Sequence, residues 1–115
     1  MNKAKEVNTY DIVQPTVSWA QSLTTIYLEV KLAHRFDAPG CANHTEVDIR
    51  VDRTQVSMQV LCLSISSKIK YVLDLPLWGE IETYEDNPDR KHYKYQAVGK
   101  YHFELSKENY PGRWP

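Results

Sequence analysis

Lys70-Tyr-Val-Leu-Asp-Leu-Pro-Leu-Trp-Gly-Glu-Ile81 alternates: Tyr71, Leu73, Leu75 and Leu77 take one side, Lys70, Val72 and Asp74 the other. A two-residue period is the mark of a strand with one buried face. Pro76 and Gly79 then stop it, because proline cannot donate to a sheet ladder and glycine has no side chain to pack. The reading assigns Leu73, Leu75 and Ile81 to the core, with Trp78-Gly79 turning the chain away from the sheet.

The same period recurs on either side. Thr24–Leu32 sets Ile26, Leu28, Val30 and Leu32 on one face and Tyr27, Glu29 and Lys31 on the other. Pro15 opens a shorter strand, Thr16–Ser22, in which Trp19 is expected to be a core anchor, its indole N–H bonded to an acceptor. Val47, Ile49 and Val51 alternate with charged residues, and Asp52-Arg53 makes a hairpin turn into Thr54–Ile65. Three successive apolar residues, Leu61-Cys-Leu63, break the pattern there and predict a bulge or a change of face. Near the end, Tyr101, Phe103 and Leu105 oppose Lys100, His102 and Glu104, preceded by a short edge strand over His92–Gln96. About seven short strands at roughly ten-residue spacing, with no helical period, predict an all-β, antiparallel β-sandwich. Ala33–His44 and Glu82–Lys91 carry the proline, glycine and charge of loops.

One domain is expected from 115 residues. Residues 1–14 have no sustained period and are taken as a loosely ordered lead-in, residues 15–115 as the domain. Fourteen basic side chains balance 15 acidic ones, which gives no electrostatic case for nucleic acid or an anionic membrane as partner. The polar start and the lack of a long apolar run predict a soluble, cytoplasmic monomer. In that compartment Cys41 and Cys62 are expected to be free thiols.

The residues offer little chemistry. Cys41-Ala-Asn-His44 is a single pair, and His92 and His102 share no local geometry, so no metal site is predicted. No nucleophile elbow, phosphate loop or zinc-protease motif is present, so neither a catalytic residue nor a cofactor is assigned. Eight tyrosines and three tryptophans could stack nucleic-acid bases, but aromatic residues also suit a half-buried pleat.

The features in order are Val17-Ser-Trp-Ala-Gln21, the Thr54–Val60 strand, Tyr71-x-Leu-x-Leu-x-Leu-Trp-Gly-x-Ile81, Tyr101-x-Phe-x-Leu-x-Lys107 and Trp114-Pro115. Over residues 15–115 this series resembles the CS domain, the HSP20-like (α-crystallin) sandwich of co-chaperones of heat-shock protein 90 and related adaptors. The resemblance implies a non-enzymatic protein-binding module that docks on heat-shock protein 90 or an assembly it serves. The alternative it leaves is an adaptor linking other proteins, in dynein, ciliary or signalling assemblies. Trp19, Leu73, Leu75, Ile81, Phe103 and Trp114 would hold the fold. Tyr27, Lys31, Lys100, His102 and Arg113 would contact the partner, because adaptors of the family use the exposed side of the sheet formed by the first, second and last strands. Those adaptors carry aromatics where Ala20 and Lys31 stand here. In family members with synthase activity a tyrosine follows the first tryptophan; here Ala20 does, so the resemblance implies no catalysis.

Overall fold

The computed structural model describes residues 11–35, 37–63, 68–83 and 92–108, apart from the side chains of Gln96 and Ala97. Its strands are β1 (Asp11–Val13), β2 (Thr16–Gln21), β3 (Thr25–Lys31), β4 (His44–Asp52), β5 (Gln55–Leu63), β6 (Lys68–Pro76), β7 (Tyr93–Ala97) and β8 (Lys100–Ser106). They form two four-stranded sheets, ordered β1-β6-β5-β4 and β2-β3-β8-β7. There is no helix among the described residues, and none long and apolar enough to cross a membrane.

The alternation explains why the sheets face each other. Ile26, Leu28 and Val30 of β3 and Tyr101, Phe103 and Leu105 of β8 join Val56, Met58, Val60 and Cys62 of β5 and Tyr71 and Leu73 of β6 in one buried cluster. Burying a side chain the size of Phe103, which is fully enclosed, contributes about 1.5–3 kcal/mol. Ile81, also fully enclosed, ties the two sheets: its N–H donates to Arg53 O of the β4–β5 turn (2.8 Å), and it bridges to Lys107 beyond β8.

Four sequence expectations need correction. The pairing is not wholly antiparallel, because β1 joins β6 in parallel, Asp11 opposite Ile69 and Val13 opposite Tyr71. β1 thereby turns the last residues of the expected lead-in into an eighth strand; residues 1–10 lie outside the described residues.

Second, β5 carries no bulge against β6, since its register is unbroken from Gln55 to Leu63. Leu61 and Leu63 simply sit half-buried on the outer face. The irregularity lies in β4, where Thr45 faces Leu61 and Asp48 faces Gln59, so Glu46 and Val47 together oppose one residue. Glu46 takes a positive φ of 51° there, and Val47, expected inward, is exposed.

Third, Trp19 is not a core residue. It is 59% exposed, although its neighbour across the ladder, Leu28, is buried. β2 is the edge of its sheet, and the opposite sheet does not close over it.

Fourth, Cys41 and Cys62 are joined in a disulfide, with Cα atoms 6.2 Å apart. The Cys41 N–H donates to Leu32 O (3.0 Å) and the Leu32 N–H to Gly99 O (2.7 Å). The loop after β3 is thereby pinned to the start of β8 on one side and to β5 on the other.

Candidate functional site

Antiparallel pairing places directly opposite residues on one face. Register sets Lys31 against Lys100, Glu29 against His102 and Tyr27 against Glu104. Since Leu28, Val30, Tyr101 and Phe103 point into the core, these six point out to solvent. β2 adds Ser18 and Ala20 beside Glu29 and Tyr27, and β7 adds Lys94 beside His102. The Tyr27 and His102 rings lie 6.5 Å apart, tilted by 35°, over a shallow depression whose floor includes Ser18, Ala20 and Glu29.

The face is charged without being uniformly so. Two lysines directly opposite each other are unfavourable, and Glu29 partly offsets them, its Oε2 lying 4.0 Å from Lys100 Nζ. Both partners of that pair are more than one-third exposed, so water screens it and its contribution to stability is small. Tyr27, 37% exposed, is the large ring at the middle of this mixed-charge surface.

Of the five expected contact residues, Tyr27, Lys31, Lys100 and His102 come together on this face; Arg113 lies outside the described residues. Of the expected fold anchors, Leu73, Ile81 and Phe103 are buried, Leu75 is half-buried against the core, Trp19 is exposed, and Trp114 lies outside the described residues.

The disulfide engages the Cys41 sulfur, so Cys41 and His44 cannot act as a thiolate–imidazole pair. His44 instead enters an aromatic cluster: its Nε2 lies 3.3 Å from Tyr101 Oη, and its ring 5.2 Å from that of Tyr95. Burial raises the Tyr101 phenol above its ordinary pKa, and the neighbouring Tyr95 and Tyr93 raise it further. Among the described residues no group of three His, Cys, Asp or Glu side chains could hold a metal.

A second feature escaped sequence reasoning. Where the sandwich is open beside β2, Val17 and Trp19 face Leu75, Leu77 and Trp78 across an apolar groove of about 140 Å³. Trp78 is 78% exposed. The Pro76 and Gly79 breaks mark the end of β6 but carry no signal that this end is left uncovered.

No protein-family model matches the sequence, and no curated protein matches it.

Proposed function

We propose that this chain is a non-enzymatic protein-binding module of the CS type, an HSP20-like sandwich. It acts as a monomer and docks on heat-shock protein 90, or an assembly served by it, through the outer face of β2, β3 and β8. One observation carries the reading: Tyr27, Lys31, Lys100 and His102, drawn from two strands about 70 residues apart in the chain, stand in adjacent register on one solvent-facing surface. An amphipathic ring flanked by charge suits a protein interface, where tyrosine supplies contact area and the charges set orientation and rate of encounter. The two lysines on this face favour an acidic patch on the partner. Binding would act by differential affinity, favouring one conformational state of the partner.

The adaptor reading draws on a different observation. Ala20 stands opposite Tyr27, so Tyr27 has no second large aromatic beside it in β2, and few-residue aromatic anchors dominate most interfaces. A partner other than heat-shock protein 90 would then be held mainly by polar contacts. The disulfide also favours an oxidising compartment over the cytoplasm for either role.

Calorimetric titration of the oxidised protein against heat-shock protein 90, with and without a non-hydrolysable ATP analogue, tests the proposal. Nucleotide-dependent binding supports the co-chaperone role, and nucleotide-independent binding supports docking without selection of one conformational state. Absence of any heat release or complex rules out docking on heat-shock protein 90.

A further inference from the structure

The disulfide gives weight to a short motif beside it. Structural disulfides form and persist in oxidising, secretory compartments, and Cys41 is joined to Cys62, 21 residues further on. Just beyond Cys41 stands Asn43-His-Thr45, the only Asn-x-Ser/Thr in the sequence, with no proline at its middle position. That triplet is the acceptor for N-linked glycosylation of secretory proteins. In a reducing compartment the match would be idle; next to a disulfide it is not.

A glycan is bulky and solvated, so its asparagine has to stand in water. Asn43 and Thr45 are both exposed, at the start of β4, the edge strand of its sheet. The Leu63 N–H donates to Asn43 O (2.9 Å), which carries the β4–β5 ladder one residue beyond the His44–Cys62 pair. Alternation along that ladder turns Asn43 and Thr45 to the same side. His44, between them, goes the other way, to Tyr101 Oη (3.3 Å) and the Tyr95 ring. The amide and hydroxyl of the motif thus share one solvent face. On that face Thr45 stands opposite Leu61 and Asn43 beside Leu63, both leucines half-buried, and Leu61 lines a shallow depression with the exposed Val47. These apolar side chains form a strip next to the unpaired edge of β4, and an unpaired edge is a template for unwanted strand pairing unless something covers it.

We infer that Asn43 is an N-glycosylation site whose glycan lies over the Leu61–Leu63 strip and the edge of β4. In the transfer Asn43 Nδ2 bonds to C1 of the first N-acetylhexosamine of a lipid-linked oligosaccharide. The C1–O bond to the lipid diphosphate breaks, the diphosphate leaves with the bonding electrons, and a base of the transferase takes up the displaced amide proton. Thr45 is the residue by which the acceptor is recognised. Since β4 belongs to the other sheet from β2, β3 and β8, the inference stands whichever partner the outer face of those strands binds.

The full, oxidised chain isolated from the cells that make it provides the test. Peptide N-glycosidase in heavy-oxygen water converts a glycosylated asparagine to labelled aspartate, and the label is expected at position 43 in the tryptic peptide ending at Arg50. The same treatment should increase the electrophoretic mobility of the chain. Asn43→Gln and Thr45→Ala, expressed in those cells, should lose this shift completely, whereas Thr45→Ser should keep it. The two Thr45 variants differ by one hydroxyl on an exposed side chain, so misfolding does not account for a difference between them. A native protein whose Asn43 peptide is wholly unmodified overturns the inference, whichever compartment holds it. So does a mobility shift that survives Thr45→Ala.

Discussion

Gly40 and Gly99 meet backbone to backbone: a Cβ on Gly99 would stand 2.7 Å from Gly40 Cα and 2.6 Å from Cys41 N, and one on Gly40 would stand 2.5 Å from Val98 O. The closeness lets the Ala33–His44 loop lie against the β7–β8 turn. Gly99 is the hub, since its carbonyl accepts from Leu32 and its N–H donates to Tyr95 Oη at 2.9 Å.

Gly99→Ala should therefore be strongly destabilising. The left-handed φ of 67° costs a side-chain-bearing residue about 1–3 kcal/mol, and the overlap with backbone atoms, which cannot swing aside, adds to it. A lowered urea midpoint with an unchanged slope is the expected result. A midpoint equal to that of the parent protein would contradict the close approach.

The disulfide beside this junction should contribute comparably. For cysteines 21 residues apart, the chain-entropy estimate is about 3 kcal/mol. Unfolding monitored with and without a reductant should show a loss of that order, as should the Cys41→Ser, Cys62→Ser double variant. Two thiols titrating in the native, unreduced protein would show that the bridge does not form.

Most strands were legible because a two-residue period writes the buried face directly into the sequence. Phase alone also put Tyr27 and Lys31 on the same side as Lys100 and His102, since both strands turn their apolar residues to one core. What period cannot express is which strands pair and what lies over an edge. β1 offers only Asp11-Ile-Val13, too short to show a period, and its partner is 58 residues away. Trp19 has the phase of a core residue and is exposed only because the opposite sheet stops short. The cysteines differ for another reason: the hairpin that sets Cys62 beside the start of β4 is legible, but the Gly40–Gly99 contact that holds Cys41 there is not local, and free thiols follow only from an assumed reducing compartment.

Burial of two tyrosines sets an alkaline limit to stability. Tyr71 and Tyr101 both have their pKa raised above the ordinary 10.0, chiefly by desolvation. The folded state thus holds these protons more tightly than the unfolded chain, and its stability is fully present below about pH 10 and lost as pH rises through the folded values. Absorbance titration at 295 nm should show a late-titrating group that disappears in part in Tyr101→Phe, and the alkaline fall in stability should become shallower in that variant. Simultaneous titration of all tyrosines near pH 10 in folded protein would contradict the burial of both rings.

The outer face yields the sharpest comparison. Lys100 lies opposite Lys31 and next to Glu29, so Lys100→Glu makes the Glu29 contact like-charged and the Lys31 contact attractive, two small opposing changes, and reverses charge where an acidic partner is proposed. Exposed substitutions usually change stability by no more than about 0.5 kcal/mol, so the unfolding midpoint should barely move, whereas affinity for heat-shock protein 90 should fall about tenfold, with a slower association rate and weaker salt dependence. Tyr27→Ala removes contact area instead of charge; it should cost at least about 1 kcal/mol of binding and act mainly on dissociation. Lys68→Ala, exposed on the other sheet, serves as the control and should leave binding unchanged. If Lys68→Ala weakens binding as much as Lys100→Glu while both proteins remain folded, the contact is not on the β2-β3-β8 face.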